Sequence, residues 1–523
     1  MNRAVTGRLI FLVALLAASA VSCTFADDQE INPAELFNSF DSLDPSAGRG
    51  DDTAADDDGS GGEIADVIVL PPPKENPLSR VVVISTAEAC SLSGEVTADG
   101  ESGRLPSQPR NTPIGRYHVL RFVGLWPEGV FHYALHLAGE KERLVATGSF
   151  TTPSLPSWAP VLTVLIDESD HDIWLAGAFN TPGDNGGYFG LKRAIVVFDQ
   201  QGRPRFFHET PPESGEPTPP NQGLRVLPSG EMAWSDTRAI TAVNLAGRER
   251  RLFDLDLAMP LLQAGHHEFI LNETADEALI LTNRLGSGVK CDLRTPTDRA
   301  VGDGWAIIAP DGEIRHSWSV FDHQDLIPPD RMNQVICHLH FFGAGTYDFT
   351  HANSIVPLPD GRSVLLSLRN TMEIVKIDLE TGEIVWRMGP GLDFAWEGAE
   401  SLDDPWFHMQ HDVKWLPGNF LLMFDNANCH YDGNCFHGNW SRALLVAVDE
   451  ERRVVRPVWE HRVPFSQAMG NVEPLPNGSV LIFTGWQGYL YEVTPDHRVV
   501  FSCRWPFFNK SLNIRYFPAL WEK

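Results

Sequence analysis

Three histidines, an asparagine and an arginine between residues 267 and 411 are of the types that handle a tetrahedral anion. They are His267 in "GHHEFILN", His351 and Asn353 in "THANSIVPLPDG", Arg369 after "SVLLSL", and His411 in "MQHDVKWLPGN". Arginine offers a planar fork of donors to sulfate- or phosphate-like oxygens. Asparagine and histidine add donors that stabilise charge moving onto equatorial and leaving oxygens. A neutral imidazole can itself be the nucleophile, taking the group covalently and passing it on. A second imidazole can protonate the leaving oxygen and later deprotonate the acceptor. With no carboxylate at these positions the set is a poor cage for a hard cation, so neither a metal nor a cofactor is expected.

Residues so far apart in sequence need a fold that repeats. Four turns align: "VLPSG" at 226–230, "PLPDG" at 357–361, "WLPGN" at 415–419 and "PLPNG" at 474–478. An apolar strand follows each, then a third strand, a turn and a fourth strand that ends in a large aromatic ("EIVWR", "RPVWE", "EIRHSW", "FSCRW"). More degenerate copies span roughly 162–208 and begin at 266. Six four-stranded units, none able to bury both faces of its own sheet, predict an all-β, six-bladed β-propeller. Ahead of it, "RVVVIST", "RYHVLRFVGL", "FHYALHLAG" and "VATGSFTTP" predict a small β-sandwich of immunoglobulin or fibronectin type.

In such a unit the start of strand one and the end of strand two share one face of the propeller. Six residues before each turn proline stand His411, Asn353, Gln222 and Gly470, and His267 has the matching place in the degenerate copy, with His266 beside it. His351 lies two residues before Asn353, Arg369 ends a second strand, and Thr484 has a similar place in the last unit. A single histidine there would more often be a structural hydrogen-bonder. Three in register with Arg369 and Asn353 make a site at one mouth of the channel, with Thr484 and His266 as further candidate substrate contacts.

"THANSIVPLPDGRSVLLSLRN", "IVKIDLETGEIVWRMG" and "MQHDVKWLPGNFLLMFDN", with "GHHEFILN", resemble the bacterial arylsulfotransferase family. The resemblance covers the propeller portion and implies an exported enzyme that moves a sulfuryl group from a phenolic sulfate to a phenolic acceptor without a nucleotide donor. Carried over by motif, His411 would be the nucleophile, His351, Asn353 and Arg369 would hold the sulfuryl oxygens, and His267 would assist proton transfer. Thr484 follows from the same register. Phe341, Phe342, Tyr347, Phe349, Trp406 and Phe407, just ahead of the motifs, would supply apolar surface for the ring or else pack within their loops.

Other chemistries leave weaker traces. "CHLHF" at 337–341 puts His338 and His340 on one side of a strand, and with His351 or His408 they could bind zinc or copper. A quinone-dependent dehydrogenase would repeat a tryptophan motif over eight blades rather than six. A noncatalytic propeller that binds an anionic ligand, and an aryl-sulfate hydrolase with water as acceptor, use the same residues.

The chain has 523 residues and a net charge of −28. Much of the charge lies in residues 24–75, which carry fourteen acids against Arg49 and Lys74 and read as part of a self-repelling, disordered tether over 24–77. The remainder is mildly acidic, so no nucleic-acid partner is expected. Arg3 and Arg8 precede "LIFLVALLAASAV", which with "AVSC" makes 1–23 an export signal of lipoprotein type, cleaved ahead of Cys23 so that Cys23 carries lipid. That places the protein in the periplasm or on the cell surface, anchored to a membrane; ordinary secretion is the alternative. The sandwich is expected over 78–157 and the propeller over 158–523. Cys90, Cys291, Cys337, Cys429, Cys435 and Cys503 remain, enough for three disulfides in an exported protein. Cys429–Cys435 is the easiest pair; Cys291–Cys337 and Cys90–Cys503 are one completion among fifteen connectivities.

Overall fold

The computed structural model describes residues 63–517, apart from stretches at 101–110, 139–142, 182–191, 211–221, 237, 256–260, 287–289, 293–294, 297–299, 324–346, 400–405, 429–438 and 506–509. Among the described residues the regular structure is β throughout, with two short 3-10 turns.

Two three-stranded antiparallel sheets come first. Ile64–Val69, Arg80–Cys90 and Gly115–Phe122 form one, and Leu92–Ala98, Val130–Leu137 and Arg143–Thr151 the other. They share one apolar core that includes Ile84, Leu92, Phe122, Phe131 and Leu135. The alternating burial of Leu92–Ala98 is what a strand with one face on a core requires.

Six further sheets of four or five strands follow, here called sheets I to VI. Sheet II runs Gln222–Val226, Met232–Ser235, Ala239–Val243 and Glu249–Asp254, and sheet III runs Leu261–Leu271, Ala278–Gly286, Ala300–Ile308 and Ile314–Ser319. Sheet IV runs Ala352–Pro357, Ser363–Leu368, Glu373–Asp378 and Ile384–Met388. Sheet V begins at His411–Leu416 and continues through Phe420–Asp425, Trp440–Asp449 and Val454–Pro464. Sheet VI begins at Asn471–Pro474 and continues through Val480–Phe483, Tyr489–Val493 and Val499–Arg504. Sheet I is built differently. Its own run supplies Leu175–Thr181, Lys192–Phe198 and Pro204–Glu209, and its innermost strand is Lys510–Tyr516 from the far end of the chain.

The innermost strands of I to VI touch one another in a closed circuit, each against the next and the sixth against the first. Six apolar layers lie between neighbouring sheets, one for each pair. A strand buried on both faces must read as a nearly unbroken apolar run, and "SVLLSL" at 363–368 is buried throughout. The aligned turns close as their residues demand: Gly230, Gly361 and Gly478 sit at φ of 80°, 63° and 83°, where a Cβ would be strained. The recurring fourth-strand aromatics are clasps between sheets. Trp318, Trp386 and Trp459 each donate from Nε1 to the next sheet, to Gly382 O (3.0 Å), Glu450 Oε2 (3.2 Å) and Pro495 O (3.1 Å).

Inside the circuit runs a network of buried charges drawn from five of the six inner strands. Arg225 and Arg515 meet Glu268, and Arg515 (3.3 Å) and Lys414 (3.1 Å) share Asp412. Backbone N–H groups supply the remaining donors, Ile355 to Glu268, Val472 to Asp412 and Tyr516 to Glu473. Burial would weaken the Arg515 cation, but Asp412, Glu473 and Glu268 around it hold it firmly protonated.

Several expectations are corrected. The segment expected as a tether to residue 77 contributes Ile64–Val69 to the first sheet, and its end docks on sheets I and II. There Asn76 Nδ2 donates to Leu245 O at 2.8 Å and His208 Nδ1 donates to Glu75 O at 2.7 Å. Composition describes the acid-rich part of this segment but not the apolar "IADVIV" that follows it. Residues 163–167 do not open the first unit; they add a fifth strand to sheet VI. Cys90 and Cys503 do not pair. Both are free and buried, in the separate cores of the N-terminal sheets and of sheets VI and I. Cys337, Cys429 and Cys435 lie outside the described residues, and Cys291 lies in a strand whose side chains are not described.

Candidate functional site

The register argument places its residues where the structure has them. His411 and Gln222 are the first residues of the inner strands of V and II, and Asn353 is the second of IV. Gly470 stands just before the inner strand of VI. Each of the inner strands of II, III, IV and V breaks its pairing near this point, between Gln222 and Arg225, Ala264 and Phe269, Ala352 and Ser354, and His411 and Lys414. Such bulges re-aim side chains at the rim of a sheet. Left-handed backbone accompanies them at His267 (φ 56°), His351 (φ 51°) and Asp412 (φ 51°), a conformation that non-glycine residues hold only when their surroundings insist. Gln222 Oε1 accepts the N–H of His267 and so supports one of these turns from the neighbouring sheet.

His267 and His351 pack edge to face with ring centroids 5.1 Å apart. His267 feels the charge of His351, His266, His411 and Arg369, and His411 that of Arg369 and His351. Residues of three inner-strand segments, those of III, IV and V, and of one second strand therefore form one cluster. Burial, then Arg369 and His351, push His411 down to about 3, and burial and the same kinds of neighbours hold His267 well below the usual histidine range. Both imidazoles are neutral at any ordinary pH, and Arg369, itself buried, is the lasting positive charge beside them.

The hydrogen bonds decide which nitrogen is reactive. His411 Nδ1 lies 2.6 Å from Asn426 Oδ1 and 3.1 Å from Met409 O, both acceptors. Asn426 cannot turn its amide round, because its Nδ2 donates to Ser466 O and Met469 O, each at 2.9 Å. Nδ1 of His411 therefore carries the proton and Nε2 keeps its lone pair. His351 Nδ1 donates to Asp348 Oδ2, and Asp348 is buried. His267 Nδ1 is 2.9 Å from Nδ1 of His266. In all three rings Nδ1 is committed to the protein and Nε2 is left for chemistry. Asn353 donates to Gln410 O at 2.6 Å, and Arg369 Nη1 donates to Asn370 Oδ1 at 2.9 Å, which fixes the plane of the guanidinium. Neutral imidazoles around one buried cation suit a monoanionic or dianionic tetrahedral group, held by donors and attacked by nitrogen.

Not every expected residue joins this group. The Thr484 hydroxyl is engaged with its own turn, donating to Tyr489 O at 3.1 Å and accepting from Tyr489 N–H at 3.0 Å, and among the described residues no contact links it to the histidines. His266 stands behind His267, almost completely buried, rather than beside a substrate. Phe349, Trp406 and Phe407 are core residues of the layers between sheets, so they do not line the mouth. Phe341, Phe342, His338 and His340 lie outside the described residues, and Tyr347 lies in a strand without described side chain.

Sequence reasoning missed Asn426, Asp348 and Asp303. Asn426 was within reach: it follows the second strand of V just as Arg369 follows that of IV and Thr484 that of VI. Asp348 and Asp303 border irregular segments, where no repeat assigns a position.

The sequence model of the family described as Arylsulfotransferase (ASST) matches residues 188–506, which contain the whole cluster. No curated protein matches the chain. Among solved structures it is similar to a protein of unknown function from Bacteroides caccae, at 13% identity, 66% of this chain, 99% of that chain and a TM-score of 0.39. It is also similar to the periplasmic gluconolactonase of Pseudomonas aeruginosa, at 12% identity, 67% and 100% coverage and a TM-score of 0.35. A third is virginiamycin B lyase from Staphylococcus aureus, at 10% identity, 72% and 92% coverage and a TM-score of 0.31.

Proposed function

The chain belongs to the arylsulfotransferase family, and on that premise we propose that it transfers a sulfuryl group from a phenolic sulfate to a phenolic acceptor through a sulfated His411. The observation that carries this reading is the pair of acceptors, Asn426 Oδ1 and Met409 O, on His411 Nδ1. A ring locked in that tautomer and kept neutral by its surroundings presents a standing nucleophile at Nε2.

In the first half-reaction the Nε2 lone pair bonds to sulfur while the bond from sulfur to the aryl oxygen breaks, its electron pair leaving on the phenolate. The proton on Nδ1 stays, and its bond to Asn426 spreads the positive charge of the sulfated ring. Arg369 and Asn353 donate to the sulfuryl oxygens, which gain charge as the group passes between oxygen and nitrogen, while His351, its Nδ1–H held by Asp348, packs edge to face against His267. In the second half-reaction His267 takes the proton of the acceptor phenol, the phenolic oxygen bonds to sulfur, and the sulfur–nitrogen bond returns its pair to Nε2. His267 then gives that proton up to solvent, which returns the ring to its neutral form.

The six sheets are read as the blades of a six-bladed β-propeller and the two N-terminal sheets as a small β-sandwich. The export signal and Cys23 make the protein an exported one held at a membrane by lipid, and the acid-rich segment spaces the folded part from that surface.

The test is mass spectrometry at alkaline pH of the folded protein after exposure to a nitrophenyl sulfate without acceptor. One added sulfuryl group on the peptide containing His411, discharged by phenol, is the expected result. Turnover that continues at full rate on water alone would make the protein a hydrolase. A folded protein with no adduct and no released nitrophenol would leave the cluster as a binding site and defeat the proposal.

A further inference from the structure

His266 was expected at the substrate, yet it is buried behind His267 and bridges to a carboxylate that the proposed reaction leaves unused. Asp303, in the third strand of sheet III, is 2% exposed, and so is His266. Asp303 Oδ2 accepts the Ala352 N–H at 2.8 Å and the hydroxyl of Thr350. Its Oδ1 lies 3.3 Å from Nε2 of His266, a close electrostatic contact off the ideal hydrogen-bond line. Among the described residues Asp303 has no arginine or lysine partner, so His266 is the one basic side chain beside a buried carboxylate. A nitrogen lone pair aimed at a carboxylate would be repelled, which puts the His266 proton on Nε2. With its proton on Nε2, His266 turns its Nδ1 lone pair toward Nδ1 of His267, 2.9 Å away, and a proton on the latter fills that gap.

We propose that Asp303 and His266 are positioning residues that fix His267 as the tautomer with its lone pair on Nε2, making it the base that accepts the proton of the acceptor phenol. This rests on the sulfotransfer reading above and deepens it: one carboxylate orients two imidazoles in series, in the way a buried carboxylate orients a single catalytic histidine elsewhere. The proton itself moves between phenol and His267 Nε2; His266 keeps its own.

The prediction separates the two half-reactions. In Asp303→Asn the carbonyl oxygen can keep Ala352 and Thr350, while the amide nitrogen replaces Oδ1 and donates to His266 Nε2. That reverses His266, and with it His267, which then shows the site an N–H instead of a lone pair. Sulfation of His411 by a nitrophenyl sulfate, whose leaving group is a weak base, should stay within about two-fold of the native rate. Discharge to phenol should fall by roughly 100-fold or more, and less with acidic phenols that ionise without help. His266→Phe should behave like D303N, whereas His266→Asn, whose Oδ1 can accept in place of Nδ1, should recover most of the discharge rate. Equal losses in both half-reactions, losses independent of acceptor acidity, or discharge at the native rate would each overturn the proposal while leaving sulfotransfer standing. Absence of the adduct in the native protein would instead overturn sulfotransfer. Nitrogen-15 shifts of labelled histidine give a readout without turnover: His267 should be protonated on Nδ1 in the native protein and on Nε2 in D303N, and an unchanged tautomer would overturn the proposal.

Discussion

At the scale of single residues, the chemistry depends on imidazoles that are neutral and turned the right way. Asn426 sets the turn of His411, and removing its side chain in Asn426→Ala leaves Met409 O as the sole acceptor for Nδ1. Sulfation of His411 in that variant should slow by roughly 10- to 100-fold, the usual cost of losing an orienting partner, with little change in donor affinity. Neutrality has a thermodynamic signature. The folded protein holds His411 at about 3, whereas the unfolded chain titrates near the ordinary histidine value of 6.5. Between these limits the unfolded state binds a proton that the folded state does not, so stability falls as pH drops through the window and recovers above it. The slope is about 1.4 kcal/mol per pH unit for each such group. Denaturant unfolding of His411→Gln should therefore show a shallower loss between pH 6 and 4 than the native protein, and equal slopes would mean that His411 is not held neutral. The sulfation rate should likewise show no fall near pH 6.5 attributable to this residue.

Elements carry the site by being regular up to one point and irregular there. The inner strands of II to V keep their ladders until the mouth, where bulges and left-handed residues turn Gln222, His267, His351 and His411 toward one another. The outer ends of the sheets are held by the tryptophan clasps instead. Trp386 reaches from IV to Glu450 of V, a carboxylate it shares with Lys376 at 2.8 Å, while its ring is fully buried between Phe394 and the core. Trp386→Phe keeps much of the ring and deletes the bond to a charged acceptor, so it should cost about 2 kcal/mol of stability with the half-reactions unchanged. A change in sulfation rate would mean that sheet IV transmits strain to Arg369 and Asn353.

For the whole molecule the decisive feature is closure. Lys510–Tyr516 completes sheet I and brings Arg515 into the charge network between Glu268 of III and Asp412 of V. Without that strand, sheet I exposes an apolar edge and three buried acids lose a cation, so deletion of residues 510–523 should abolish cooperative unfolding rather than lower it slightly. Arg515→Met tests the charges without removing the strand. It leaves Asp412, Glu268 and Glu473 with only Arg225 and Lys414, and breaking a buried pair in this way costs about 3–5 kcal/mol. Thermal unfolding is the measurement, and a loss below about 1 kcal/mol would mean that water already serves these groups.

The sequence by itself determined the all-β class, the repeated four-strand unit and the family. Turn chemistry, apolar runs and fourth-strand aromatics are local, and a repeat states them several times over. It also pointed to His267, His351, Arg369 and His411 as neighbours, because equal registers in equal units arrive at equal places. Only the tertiary structure decided what those residues are. The lone pair on His411 Nε2 is set by an asparagine fifteen residues away that is pinned in turn by carbonyls of the connection between sheets V and VI, and the tautomer of His267 by Asp303 through His266. It also decided that Thr484 and Trp406 are structural, that Cys90 and Cys503 stay apart in separate cores, and that the first sheet is finished by the last strand. These outcomes depend on which group faces which across sheets, and a linear pattern of residue types carries no such direction.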